Sequence, residues 1–172
     1  MATPAFLVLR AAGTNCENET AWALESAGAR PTLLHLSALL ADSGALARFQ
    51  GLVLPGGFSY GDDIAAGRIF ASRLRSRLAA ELPAFIARGG VILGICNGFQ
   101  ILCEAGLLPG ALVRNRSLQF RCEHIYLKVS THDSPFTSRI PEGKVLRIPV
   151  AHGEGCYFAD DALLNLLETR SQ

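Results

Sequence analysis

Short apolar runs bounded by glycine- and proline-rich turns alternate, along this chain, with stretches whose apolar positions recur three or four residues apart. Phe6 to Leu9 reads as a buried strand, and residues 17–28 read as a helix that Gly28 ends. Residues 32–36 and 51–54 read as two further strands, the second running into Pro55-Gly56-Gly57. In the long helix that follows, Phe70, Leu74 and Leu78 recur at helical spacing among Arg68, Arg73, Arg75 and Arg77. That pattern predicts one buried and one solvated face. A helical stretch over 84–88, a fourth strand over 91–95 and a helix over 99–105 complete the series. The alternation predicts an α/β fold: a doubly wound, mainly parallel sheet with helices on both faces. After Pro109 the texture changes. Residues 118–130 and 145–150 alternate like antiparallel strands about a turn at 131–135, so an antiparallel extension is expected, with a short helix over 160–168.

Composition narrows the function. A chain of 172 residues is long enough for one core, and 1–172 reads as a single domain. Sixteen basic and fifteen acidic residues leave a net charge of +1, without the basic excess that a nucleic-acid binder carries. No apolar run is long enough to span a bilayer, and MATPAFLVLR has no basic leader before its apolar stretch, so neither a membrane nor a secretory role is expected. Five cysteines, odd in number and without a C-x-x-C pair, argue against a disulfide framework and against a zinc site. A reducing, cytoplasmic setting without a metal is the expectation.

The strongest chemical signal is Val91-Ile92-Leu93-Gly94-Ile95-Cys96-Asn97-Gly98-Phe99-Gln100. A strand runs through Gly-x-Cys-x-Gly directly into a helix, the nucleophile-elbow pattern with cysteine in place of serine. Such a turn holds the nucleophile in a strained conformation, so its neighbours two residues away must be small; Gly94 and Gly98 meet that need. The helix N-terminus beside the sulfur attracts negative charge, and the Asn97 amide would face a developing oxyanion.

The second signal is Leu54-Pro55-Gly56-Gly57-Phe58-Ser59-Tyr60-Gly61-Asp62-Asp63. Gly56 and Gly61 have P-loop spacing, but two carboxylates follow where a lysine should attract phosphate, so this loop is not a nucleotide cradle. It reads as a loop whose backbone amides face the elbow. Gly57 would be the second oxyanion donor, and Asp62 with Asp63 reads as a helix cap and its dipole-favoured neighbour.

Together these stretches resemble the class I (triad) glutamine amidotransferases, and more narrowly the glutaminase subunits of phosphoribosylformylglycinamidine synthases. Leu9-Arg10-Ala11-Ala12-Gly13-Thr14-Asn15-Cys16, Gly61 to Arg68, and Pro149-Val150-Ala151-His152-Gly153-Glu154-Gly155 sharpen the match. The resemblance covers residues 5 to about 161. It implies that Cys96 attacks the side-chain amide of glutamine while Gly57 and Asn97 hold the oxyanion. Gln100 would bind the substrate, with Asn115, Ser117 and Phe120 as further candidates. Ammonia would pass to a synthetase partner that carries ATP and magnesium, with a small accessory subunit also expected; this chain itself would need no cofactor. The family completes its triad with a late His-Pro-Glu, which this sequence lacks; it ends at Arg170-Ser171-Gln172. A C-terminal truncation is therefore expected, with His152 and Glu154 as the alternative base and orienter by their His-x-Glu spacing. Two other readings share the architecture. One is a catalytically incomplete binding subunit; the other is a cysteine-elbow hydrolase or redox-responsive protein.

Overall fold

A computed structural model describes residues 3–172. Two compact units divide the chain, residues 1–108 and 109–172.

In the first unit the order is β1 (Ala5–Arg10), α1 (Glu17–Ser26), β2 (Arg30–His35), α2 (Leu36–Ala41) and a 3₁₀ segment Ser43–Arg48. Then come β3 (Gly51–Leu54), a short 3₁₀ stretch Ser59–Asp62, α3 (Arg68–Arg77), α4 (Glu81–Ala87), β4 (Val91–Gly94) and α5 (Asn97–Glu104). The four strands form one parallel sheet in the order β2-β1-β3-β4. Parallel strands need crossovers, and right-handed crossovers that run in opposite directions put their helices on opposite faces. The β1-to-β2 connection through α1 thus covers one face, and those from β2 to β3 and from β3 to β4 cover the other. On that second face Arg88, just past α4, donates to the carbonyls of Leu46 (2.9 Å) and Phe49 (2.7 Å). The sheet is doubly wound, as the alternation predicts.

Burial explains why the strands read so plainly. All four residues of β3 are buried, as are Leu7, Val8 and Leu9 of β1, and each large apolar side chain so placed stabilises by about 1.5–3 kcal/mol. Phe70, Leu74 and Leu78 face this core, and the arginines between them stay at the surface side of α3: Arg68 pairs with Glu104 (3.2 Å), and Arg73 lies 5.0 Å over the Tyr60 ring. β2 is an edge strand. It starts two residues before its predicted onset and accommodates Pro31, which has no N–H to give a neighbour. At the end of α1, Gly28 (φ 84°) donates to Glu25 and Ala29 donates to Leu24, the paired bonds of a Schellman cap.

The second unit contains β5 (Ala111–Val113), β6 (Arg121–Lys128), β7 (Val145–His152), β8 (Cys156–Phe158) and α6 (Asp161–Thr169). β6 and β7 pair antiparallel from Arg121↔His152 to Lys128↔Val145, and β5 pairs antiparallel with β8. The expected antiparallel strands are present, as two two-stranded sheets. Asp160 caps α6 by accepting from the Leu163 amide at 2.8 Å. Among the described residues no helix is long and apolar enough to cross a membrane.

Candidate functional site

The strand order reverses direction between β1 and β3, and in open α/β sheets ligands bind beyond the carboxyl ends of strands at such a switch point. Three loops meet there: the one after β1, the one after β3, and the β4–α5 turn.

Cys96 occupies that turn with φ 53° and ψ −111°. A residue with a side chain adopts this conformation at a cost of about 1–3 kcal/mol, and it persists only where both flanks are fixed. The Ile95 amide donates to the Leu54 carbonyl (3.0 Å), which ties the strand end to β3. On the helix side, the Gly98 and Phe99 amides return to the carbonyls of Ile95 and Cys96, both at 2.9 Å. The glycines are required by close approach. A Cβ on Gly98 would collide with the Leu54 carbonyl oxygen and lie 2.6 Å from its carbon. One on Gly94 would lie 2.6 Å from the Gly98 oxygen and from Leu102 Cδ1. The helix therefore seats flush on the sheet, and Cys96 is left exposed.

Gly57 forms an isolated antiparallel bridge with Thr14, so the loops after β1 and β3 are zipped together. The bonds come from flanking residues: Phe58 donates to Gly13 (2.9 Å), Tyr60 to Ala12 (2.7 Å) and Cys16 to Gly56 (3.3 Å). The Gly57 N–H is thereby outside the bonding of its own bridge. Its φ of 137° suits glycine, and a Cβ there would lie 2.7 Å from the Asn15 nitrogen. The sequence suggests a second oxyanion donor here; the structure adds that the neighbouring loop itself demands glycine.

Cys16 stands beside the same turn. A Cβ on Gly56 would be 3.4 Å from Cys96 Cβ and 3.5 Å from Cys16 Sγ. Burial, then Glu19, Cys96 and Glu17, raise the Cys16 thiol above its ordinary pKa. Cys103 is buried, and burial followed by Glu104 raises its thiol as well. Cys122 is exposed and Cys16 and Cys156 are half-buried.

Asn97, 2% exposed, is bonded through its whole side chain. Its Oδ1 accepts from the Ser59 amide (3.1 Å), and its Nδ2 donates to Asp62 Oδ1 (3.2 Å) and Gln100 Oε1 (2.9 Å). Asp62 also accepts from the Gly67 amide at 3.0 Å. This corrects the cap reading of the two aspartates. Helix α3 starts at Arg68 behind a left-handed Gly67 that gives it no side-chain cap, and Asp62 faces the elbow.

The other sequence candidates lie in the second unit. Asn115, 6% exposed, binds its own loop: Nδ2 donates to the Gln119 (2.8 Å) and His152 (2.9 Å) carbonyls, and Oδ1 accepts from the Gly155 amide (3.0 Å). That Oδ1 also lies 3.0 Å from His152 Nδ1, and a Cβ on Gly155 would strike the His152 ring. Thus Asn115 holds His152 at its Nδ1. Ser117 Oγ accepts from Gln119 N (3.4 Å), and Phe120 is 60% exposed. The first unit brings Cys96, Gly57, Asn97 and Gln100 together; the second gathers Asn115, His152 and the residues around them. Sequence reasoning did not find Cys16 and Asp62 at the elbow.

An exposed sulfur on a strained strand-to-helix turn, with backbone amides around it, is suited to attack a carbonyl and stabilise the resulting oxyanion. Comparison with known proteins agrees with that chemistry. A model described as a CobB/CobQ-like glutamine amidotransferase domain matches residues 3–172. The phosphoribosylformylglycinamidine synthase subunit PurQ of Moorella thermoacetica is 48% identical over 163 residues, covering 93% of this chain and 65% of that protein. That of Rubrobacter xylanophilus is 48% identical over 157 residues, covering 91% and 67%. The chain thus spans about two thirds of the length of these relatives. The solved structure of PurLQS from Thermotoga maritima contains a chain that is 41% identical, with a TM-score of 0.80, over 93% of this chain and 72% of that one.

Proposed function

This chain belongs to the CobB/CobQ-like glutamine amidotransferase family, and from that premise we propose that it is the glutaminase component of a phosphoribosylformylglycinamidine synthase. The observation that carries the reading is the backbone of Cys96, φ 53° and ψ −111° on an exposed turn. Cys96 Sγ attacks the side-chain carbonyl carbon of glutamine, and the charge that gathers on oxygen is met by the Asn97 and Gly57 amides. On collapse the proton given up by the Cys96 thiol passes to the departing nitrogen, which leaves as ammonia, and the resulting thioester is hydrolysed by water to glutamate and the free thiol. Gln100, anchored by Asn97, is proposed as a substrate contact. Asn115 is assigned a scaffolding role, because its side chain is bonded to Gln119, His152 and Gly155; Ser117 and Phe120 remain pocket candidates, and His152 with Glu154 remains the alternative base and orienter. Acyl transfer of this kind asks no cofactor of the chain. The ammonia is proposed to pass to a synthetase subunit that uses ATP and magnesium, with a small accessory subunit completing the assembly. The relatives named PurQ and PurLQS support that assignment.

A glutamine analogue with an electrophilic diazoketone side chain tests the reading. Peptide mass mapping is expected to find the label on Cys96, with protection by excess glutamine. Burial and the neighbouring carboxylates hold Cys16 in its thiol form, so it should be spared even though it stands beside Cys96. A label on Cys16, Cys103, Cys122 or Cys156 with Cys96 untouched would overturn the assignment. Glutamine-independent ester hydrolysis at Cys96 would instead favour the general cysteine-hydrolase reading.

A further inference from the structure

The Asp62-Asp63 pair is left unexplained by the proposed chemistry. Its geometry supplies a reason for it to be present. Tyr60, Gly61 and Asp62 stand in succession with φ of 55°, 71° and 52°, a run that chains with side chains seldom adopt. The run turns the Asp62 carboxylate back toward the elbow, where Oδ1 bonds both the Gly67 amide and Asn97 Nδ2. Ser59, three residues earlier on the same loop, grips the other end of the Asn97 amide. Asn97 is the first residue of α5, so its side chain and its backbone amide move as one.

The geometry points to Asp62 as a positioning residue: through the Asn97 side chain it fixes the direction of the Asn97 N–H, the oxyanion donor beside Cys96, and it locks that donor to the loop carrying Gly57. The inference rests on the oxyanion role proposed above. What Asp62 contributes is an acceptor in a fixed place, so the neutral isostere asparagine should serve nearly as well, and alanine should not.

The test uses the intact enzyme with its synthetase. Asp62→Ala is expected to lower glutaminase kcat by about 10- to 100-fold, the scale for misplacing or losing part of an oxyanion donor. Asp62→Asn should stay within about 3-fold of the parent. Alkylation of Cys96 by iodoacetamide requires a reactive sulfur but no oxyanion donor, and it should change by less than about 2-fold in both variants. Equal losses in the alanine and asparagine variants, an alkylation rate that falls with kcat, or an unchanged kcat in Asp62→Ala would each overturn the inference. Should Asp62→Ala not fold, an exchange decides. Asn97→Asp sets two carboxylates against each other, and Asp62→Asn with Asn97→Asp restores a donor–acceptor pair. Recovery of most of the lost kcat in the double variant supports the inference, and no recovery overturns it. Cys96→Ala separates the two levels: a variant that still hydrolyses glutamine refutes the proposed function itself, whereas an inactive one leaves Asp62 to be judged by its own results.

Discussion

In an enzyme that carries the family's late His-Pro-Glu, replacing Cys96 by alanine should reduce glutamine hydrolysis by about 10⁴-fold or more, to the background left by the oxyanion donors and substrate binding. Replacing it by glycine should do the same to activity and the opposite to stability. At φ 53° and ψ −111° a side chain costs about 1–3 kcal/mol, and glycine does not incur that cost. Glycine does gain freedom in the unfolded chain, which takes back about 0.4–1 kcal/mol. The glycine variant is thus expected to be more stable than the alanine variant by about 1 kcal/mol, roughly 2–4 °C in Tm for a chain of this length. Both variants are inactive, so the comparison is free of any effect of substrate. Thermal melts of the pair decide it. If alanine melts at the same temperature as glycine or higher, Cys96 is not strained and the turn is no nucleophile elbow in the physical sense.

The second large effect is expected at Gly98. A single added methyl would collide with the Leu54 carbonyl and lie 2.9 Å from Leu54 Cβ, and β3 is buried along its whole length and cannot retreat. Helix α5 would have to lift from the sheet. Gly98→Ala is expected to cost about 3 kcal/mol or more in chemical denaturation and, because the lift carries Cys96 and Asn97 with it, about 10²-fold in kcat. Gly106→Ala is the matched control. Its added methyl meets nothing within 4 Å, so only the strain of φ 72° remains, about 1 kcal/mol. Equal losses at the two positions would mean that the helix does not seat on the sheet as described.

Much of the site could be read before the structure was seen, for a definite reason. Buried parallel strands are apolar throughout, so residues 6–9 and 51–54 announce themselves, the half-buried 91–94 shares their apolar run, and in such a sheet the chemistry lies just past the strand ends. The elbow glycines followed from the sterics of the turn alone, while the Leu54 carbonyl that Gly98 approaches could only come from the fold. Helix α2 and the 3₁₀ segment after it escaped notice because Leu36, Leu39, Ala45 and Leu46 are buried without a sustained helical period. Asp62 was misread for a related reason. Two acids ahead of a helical pattern fit a local cap, whereas the partner that claims Asp62 is Asn97, 35 positions away. The spacing of His152 and Glu154 suggested a base and its orienter; that Asn115, 37 positions away, lies 3.0 Å from His152 Nδ1 is something local spacing could not reveal.

The zipped loops after β1 and β3, with the elbow beside them, also bear on how the protein folds. Residues near 14, 57 and 96 meet only after two long stretches of chain have been closed, and each closure is a loss of entropy that no hairpin shortens. The Cys96 turn cannot hold its conformation until β4 has docked on β3, so the elbow belongs to the late part of the folding reaction. Substitutions at Gly94 and Gly98 should accordingly raise the unfolding rate far more than they slow folding, giving low φ-values in a kinetic analysis.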